Sequence, residues 1–328
     1  MKVLIVLHHR FELWTAPAWV ADRLRQEFPR IEVVHLDNYD RVEDELRDAE
    51  VAIAWSLRPE QLAVAEKLRW IHSPAAAIHQ LLFPELVNSD VILTNARDVH
   101  GPVVAEHVLA LIFALAKKIP DAVRFQQRHV WGQESLWGGF PRPREIAEAT
   151  LGLIGLGSIG RAVARSASGL GMRVLAVREH AEKPVPEGVE RVLGSSELPW
   201  LLEQSDYVVL AAPVTAATRG LMNSERIAMM KPDACLINVG RGSLVDESAL
   251  AEALRGKKLG GAALDVFEKE PLPAESCLWD LDNVLITPHS AGLTDKLWDR
   301  HYKLIRENLR RYLANEPLLA VVDKRQGY

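Results

Sequence analysis

Short apolar or β-branched runs recur along the first hundred residues, at positions 3–7, 31–36, 51–55, 70–72 and 91–94. Between them the apolar positions take a helical spacing, over 17–28, 42–48, 59–67 and a short stretch from Ala76. Strands alternating with helices predict a parallel sheet covered on both faces. A longer apolar helix is predicted over 103–118, with Pro102 suited to a first helical position and Pro120 expected to end it. Residues 124–144 then lose all periodicity, setting Trp131, Trp137 and Phe140 among Gly132, Gly138, Gly139, Pro141 and Pro143. That mixture predicts an extended arm whose exposed tryptophans meet a partner or fold back on their own domain. Beyond Thr150 the alternation resumes, with six strands predicted from Leu151 and over 173–177, 207–212, 234–239, 261–266 and 284–287. A long helix over 295–315 and an apolar run over 318–322 close the chain.

The turn between the strand at Leu151 and the helix after it carries the sharpest signal. Its glycines stand at Gly155, Gly157 and Gly160, the G-x-G-x-x-G spacing of a dinucleotide-binding βαβ unit. The first permits the tight turn, the second lets backbone approach a pyrophosphate, and the third packs helix on strand. Ser158, Ile159 and Gly160 open the helix, whose first N–H groups face a phosphate well. The fold class expected is therefore α/β, with two doubly wound parallel-sheet domains. The tail is too short for a further domain and is expected to return to the first unit. Residues 1–98 with 294–328 would form a flavodoxin-like substrate domain, and 99–293 an inserted Rossmann domain for NAD or NADP. Hinges are expected at 95–101 and 290–295.

Composition narrows the partners. A net charge of -5 over 328 residues supplies no basic field for nucleic acid or an anionic membrane, which favours a small-molecule partner. Two cysteines, Cys235 and Cys277, make neither a disulfide framework nor a C-x-x-C metal site, so no metal is expected. The first apolar run is too short for a signal peptide and no stretch reaches a membrane span, so a cytoplasmic protein is the expectation.

In an open α/β sheet the ligand lies at the carboxyl ends of the strands. The late strands lead into Arg241 in NVGRGSLVDE, Glu270 in LDVFEKEPLP and His289 in ITPHSAG. A guanidinium fork suits a carboxylate or a polarised carbonyl oxygen. An imidazolium can protonate an oxygen as negative charge grows on it, and a carboxylate alongside favours the charged ring.

The motifs GLGSIG, NVGRGSLVDESAL, ALDVFEKEPL and TPHSAG, in this order and joined by TNARDVHGPVVAEH, resemble those of the D-isomer-specific 2-hydroxyacid dehydrogenase family. The resemblance covers nearly the whole chain. It implies hydride transfer between a nicotinamide cofactor and C2 of a 2-oxo acid. It makes Arg241 the substrate-binding arginine, Glu270 the carboxylate of the acid/base pair and His289 the proton donor. Asp265 matches an acid set against the nicotinamide carboxamide, with a strand-end cap as the other reading. Pro213, Thr218 and Val239 match segments lining the cofactor, and the Glu106–His107 pair matches the family in what is read as a structural role. On the substrate side, Ala76 and Ala77 occupy a loop that in relatives often contains glycine and binds the substrate carboxylate through N–H groups. His100 stands where it could contact substrate or simply pack.

The second strand departs from the NAD pattern. Where an acid would accept hydrogen bonds from the ribose hydroxyls stands Arg178, which can pair only with a 2'-phosphate. That favours NADP, although Glu179 one residue on could restore a ribose acceptor. The reading is an NADPH-preferring reductase of glyoxylate, hydroxypyruvate or a similar 2-oxo acid, a homodimer through the arm. Two rivals share the scaffold: a dinucleotide-sensing binding protein or corepressor-like module, and formate- or phosphite-type dehydrogenases.

Overall fold

The computed structural model describes residues 1–327. Its contacts divide the chain into two compact units, Met1–His100 with Leu293–Tyr328, and Gly101–Gly292. Among the described residues no helix is long and apolar enough to cross a membrane.

The first unit is a five-stranded parallel sheet of β1 (Lys2–Val6), β2 (Glu32–Leu36), β3 (Val51–Ala54), β4 (Trp70–Ser73) and β5 (Ile92–Asn95), in the order β2-β1-β3-β4-β5. Helices α1 (Ala18–Glu27), α2 (Val42–Leu46), α3 (Pro59–Val64) and α4 (Pro84–Val87) link the strands. The short helix expected from Ala76 instead begins at His79, as a single 3₁₀ turn over His79–Leu81 before α4. Pro74 and three alanines offer that stretch no N-cap side chain, whereas Pro84 sits in the first turn of α4.

Strand alternation sends Val3, Ile5, Val51, Ile53 and Trp70 to one face and Leu4, Val6, Ala52, Ala54 and Ile71 to the other. Both faces are buried, which is why these strands read as continuous apolar runs. Leu24 of α1 is fully buried on the first face, an amount of apolar surface worth about 2 kcal/mol. The chain's last elements complete this unit. Val322 donates its N–H to the Leu93 carbonyl at 2.8 Å, and Asn95 donates to Ala320 at 3.1 Å. The buried Asn308 side chain accepts from the Leu319 N–H at 2.8 Å and donates to the Leu319 carbonyl at 3.1 Å.

The second unit opens with α5 (Gly101–Ala116), α6 (Ile119–Gln127) and α7 (Gln133–Gly138). Here the sequence-based expectation is corrected twice. Pro120 does not end a helix but stands in the first turn of α6, after Lys118 turns the chain in a left-handed conformation at φ 56°. The arm is not extended throughout: it contains a pair of short helices, packed where the Phe125 ring fills the space beside Gly132. Its far end is pinned: the Arg144 N–H donates to the Ala116 carbonyl at 3.0 Å, and Arg144 Nε donates to the Tyr207 hydroxyl at 3.0 Å. Trp131 and Trp137 remain 91% and 60% exposed.

A parallel sheet comes next, of β6 (Thr150–Ile154), β7 (Arg173–Val177), β8 (Arg191–Leu193), β9 (Tyr207–Leu210), β10 (Cys235–Asn238), β11 (Gly261–Leu264) and β12 (Val284–Ile286), in the order β12-β11-β10-β9-β6-β7-β8. It has seven strands, not six. The extra one, β8, is three residues long at the sheet edge, with only Leu193 fully buried, too short for an apolar pattern. Helices α8 (Ser158–Gly169), α9 (Leu198–Gln204), α10 (Ser224–Ala228) and α11 (Glu247–Arg255) cover it together with α5. The last helix, α12 (Leu297–Leu313), belongs to the first unit.

Burial in the first unit includes titratable groups. His72 in β4 is wholly buried and its ring is pulled down to about 3 from the ordinary 6.5; burial also pulls down His301 and His100, the latter helped by the Arg300 charge. All three are neutral when folded and bind protons readily only when unfolded. Stability is therefore complete above about pH 6.5 and falls as the pH drops, His72 contributing about 1.4 kcal/mol per pH unit down towards 3 and His301 and His100 adding in the same direction. Urea midpoints for the first unit should drop between pH 7 and pH 5. The slope should flatten in His72→Asn, and an unchanged midpoint across that range would refute the assignment of neutral, buried rings.

Candidate functional site

The glycine turn between β6 and α8 is closed by the protein itself at two positions and open at one. Gly155 lies at φ 98°, and a Cβ there would stand 2.6 Å from the Ala212 nitrogen. A Cβ on Gly160 would stand 2.2 Å from the Gly155 carbonyl oxygen, so only glycine lets helix and strand meet this closely. At Gly157 nothing lies within 4 Å. Gly157 is the N-cap of the twelve-residue α8, so this space opens over the positive end of a helix dipole, beside the N–H groups of Ser158, Ile159 and Gly160. The residues present thus fit a dinucleotide pyrophosphate.

Three further loops, after β10, β11 and β12, form one network at the neighbouring carboxyl edge. Asp265, 1% exposed, follows β11 and spends its carboxylate on the loop after β12. Oδ1 accepts from the Thr287 hydroxyl at 2.6 Å and the Ser290 N–H at 2.8 Å, and Oδ2 accepts from the Ala291 N–H at 3.0 Å. The His289 N–H between them donates to the Asp265 carbonyl at 2.9 Å. His289 is thereby held at φ 50°, a left-handed conformation that a residue without glycine's freedom adopts only under such constraint. Since Thr287 gives its proton to Asp265, His107 Nε2, 3.1 Å from the Thr287 oxygen, must be the donor to it.

The imidazole of His289 meets Glu270. Glu270 Oε1 accepts from the Phe267 N–H at 2.9 Å, which fixes the carboxylate, and Oε2 lies 2.6 Å from His289 Nδ1. A carboxylate here accepts, so Nδ1 carries hydrogen and Nε2, across a ring 52% exposed, is the nitrogen left for a ligand. The loop after β10 is tied to the same base. Asn238, buried, accepts from the Gly240 N–H at 3.1 Å and donates to the Arg241 carbonyl at 3.0 Å. A Cβ on Gly242 would stand 1.8 Å from the Phe267 carbonyl carbon, so the loops of Arg241 and Glu270 touch backbone to backbone. Glu247 Oε1 accepts from the Glu268 N–H at 2.6 Å, and burial of Glu247 raises its carboxyl above the ordinary range. Arg241 itself is exposed, with Nη1 donating to the Gly240 carbonyl at 2.7 Å.

The remaining candidates divide between the two units. Thr218 is a turn organiser, giving its hydroxyl to the Pro213 carbonyl at 2.7 Å and accepting from the Thr215 N–H at 2.7 Å. Val239 is buried, its N–H donating to Leu210 at 3.3 Å. Arg178, just past β7, donates to the carbonyls of Lys183 and Pro184, which hold its guanidinium without an acidic partner among the described residues. In the first unit the Ala76 carbonyl accepts from Asn95 Nδ2 at 2.8 Å, and no protein acceptor for the N–H groups of Ala76 or Ala77 occurs among the described residues. His100 packs its ring 5.9 Å from that of His301.

Sequence reasoning missed Asn238, Glu247 and Thr287. Each acts through backbone groups or through a carboxylate: Asn238 ties its own turn, whereas Thr287 and Glu247 reach residues just past β11 that only the fold brings near. Asn238 and Thr287 did carry one signal, a polar residue at the end of an apolar strand.

The glycine geometry separates folding from binding. Gly157→Ala should unfold at the wild-type urea midpoint yet bind a nicotinamide dinucleotide at least tenfold more weakly by calorimetry. Gly160→Ala should instead lose stability outright. Equal affinity in Gly157→Ala would remove the pyrophosphate from this turn.

Comparison with known proteins agrees with this geometry. A family model described as D-isomer specific 2-hydroxyacid dehydrogenase, NAD binding domain, matches residues 109–291. A glyoxylate reductase of Pyrococcus furiosus is 33% identical over 268 residues, 79% of this chain and 77% of that protein. A D-3-phosphoglycerate dehydrogenase of Methanocaldococcus jannaschii is 33% identical over 92% of this chain, which spans 57% of that longer relative. Among solved structures, a D-isomer specific 2-hydroxyacid dehydrogenase of Xanthobacter autotrophicus Py2, in complex with NADPH and MES, superposes with a TM-score of 0.82. Its identity is 31%, covering 100% of this chain and 99% of that one. With its two parallel sheets, its glycine turn and four linked motifs, this chain belongs to the family of NAD(P)-dependent D-isomer-specific 2-hydroxyacid dehydrogenases.

Proposed function

We propose that the chain reduces small 2-oxo acids, glyoxylate or hydroxypyruvate among them, to 2-hydroxy acids of D configuration where the carbon is chiral, with NADPH as the preferred cofactor. The observation that carries this is the 2.6 Å contact between His289 Nδ1 and Glu270 at the carboxyl edge of the dinucleotide-type sheet. A bound reduced nicotinamide supplies two electrons and a hydrogen to C2 of the substrate. The rest is the protein's work. His289, its Nδ1 held by Glu270, gives the Nε2 proton to the substrate oxygen as negative charge grows there. Arg241 pairs with the substrate carboxylate, its fork set by the Asn238-organised turn. Asp265 acts first as the buried anchor of the His289 loop, and in the first unit the N–H groups of Ala76 and Ala77 keep the capacity to bind a carboxylate.

The cofactor would lie over Gly155, Gly157 and Gly160, with Pro213, Thr218 and Val239 along its length. Arg178 supports NADP over NAD: it is a cation held by two carbonyls and free of acidic partners among the described residues, suited to a 2'-phosphate. The NADPH complex of the Xanthobacter relative supports the same preference. A homodimer is supported by the apolar exposure of the arm, where Trp131, Trp137, Phe140, Val123 and Ile119 face solvent together on residues 119–140.

A panel of 2-oxo acids assayed with both reduced cofactors tests the reading, with kcat/KM expected to be at least tenfold higher for NADPH. Arg178→Ala should abolish that preference while leaving NADH turnover intact, and a clear NADH preference in the wild type would overturn it. His289→Ala should lower kcat by roughly 10²- to 10⁴-fold. Rates within threefold of wild type would remove His289 from the chemistry. Light scattering should give about twice the chain mass, falling to one chain in Trp131→Ser with Trp137→Ser. A monomeric wild type would end the dimer proposal.

A further inference from the structure

Glu270 stands on a segment that the backbone itself does not hold. Phe267, 6% exposed, and Leu272 anchor the two ends in the core, while Glu268, Lys269, Glu270 and Pro271 between them are all exposed. Among the described residues no backbone–backbone hydrogen bond reaches any residue from Phe267 to Pro271. The Phe267 N–H goes to Glu270 Oε1 at 2.9 Å, which closes the turn on itself and fixes the carboxylate to its own segment. Apart from the contact with His289, one polar tie comes from outside. Glu247 Oε1 accepts from the Glu268 N–H at 2.6 Å, across 21 residues of sequence.

The loop after β10 is built to deliver that oxygen. Glu247 opens α11, and Asp246 caps the helix by accepting from the Ala249 N–H at 3.0 Å, so the point at which the Glu247 side chain leaves the backbone is set. The same loop meets its neighbour twice more: the Asp265 N–H donates to the Asn238 carbonyl at 3.0 Å, and Gly242 lies against Phe267. Those two ties stop at Phe267. Glu247 reaches past it, into the exposed turn. The place is electrostatically poor for a carboxylate. Burial first, then the like charges of Glu268 and Glu270, push the Glu247 carboxyl above the ordinary range, and of the interactions acting on it only the Glu268 N–H favours the charged form.

We propose that Glu247 is a positioning residue for the His289–Glu270 pair: by holding the Glu268 N–H it fixes the exposed turn that carries Glu270, and so keeps Glu270 Oε2 within 2.6 Å of His289 Nδ1. It acts through its acceptor oxygen and the backbone, not through its charge. Held this way, the pair keeps hydrogen on Nδ1 and leaves Nε2 for the substrate oxygen, the role that rests on the reductase reading above.

Two variants separate the acceptor from the charge. Glu247→Gln keeps an oxygen for the Glu268 N–H and drops the charge, whereas Glu247→Ala drops both. Ring ¹⁵N shifts of His289 at pH 9 read the pair without turnover: hydrogen should sit on Nδ1 in the wild type and in Glu247→Gln, and pass in part to Nε2 in Glu247→Ala. With a 2-oxo acid and NADPH, kcat should fall roughly tenfold in Glu247→Ala while both KM values stay within about twofold, and Glu247→Gln should return kcat to within threefold of the wild type. Should Glu247→Ala fail to fold, hydrogen exchange in the wild type decides, the Glu268 amide exchanging at least roughly tenfold more slowly than the neighbouring Lys269 amide. A wild-type ring with its hydrogen on Nε2, a Glu247→Ala ring or kcat unchanged from wild type, equal losses in both variants, or a Glu268 amide as fast as that of Lys269 would each overturn the proposal. If the wild type reduces no 2-oxo acid, the reductase reading falls alone, and the ring shifts and amide exchange still decide the role of Glu247.

Discussion

The carboxylate of Asp265 is the constraint on which the candidate site depends. It is buried, and a buried charge is tolerable only when its lone pairs are taken. Here they are taken by the Thr287 hydroxyl and by the N–H groups of Ser290 and Ala291. Those donors bracket His289, so satisfying the acid and folding the loop into its left-handed turn are one event. The ring then leaves the backbone in a direction that reaches Glu270, which is itself fixed by the Phe267 N–H. Geometry at the imidazole is therefore inherited from electrostatics one residue layer below it.

Close backbone approach does the same for the other loops. Gly242 lies against Phe267 and Gly155 against Ala212, contacts that any side chain would block. Each glycine lets one strand's carboxyl end borrow rigidity from its neighbour, so the loops of Arg241, Glu270 and His289 behave as one body on β10, β11 and β12. Within the glycine turn, Gly157 faces open space, and this asymmetry separates the glycines that serve the fold from the one that serves a ligand.

Much of this was legible in the sequence because it rests on local chemistry. Buried parallel strands must be apolar throughout, so eleven of the twelve strands announced themselves, and β8 escaped because three edge residues make no pattern. The glycine spacing and the residues after each late strand point to the candidate site from the sequence. The arm between α5 and β6 was misread for a physical reason: α6 and α7 are nine and six residues long and bury no residue fully, so no apolar period records them. Thr287, Asn238 and Glu247 were illegible for another. Thr287 and Glu247 meet Asp265 and the Glu268 N–H just past β11, which only the fold brings near, while Asn238 organises its own turn through Gly240 and Arg241.

The discontinuous first unit has a consequence for biosynthesis. Its sheet is made before the inserted unit, yet α12, which covers one face through Trp298, Tyr302, Ile305 and Leu309, is made after it. Until then Val3, Ile5 and Trp70 have only α1 above them, while Gly101–Gly292 already contains every strand and helix of its own sheet. The inserted unit can therefore complete its own sheet while one face of its host is still half-covered.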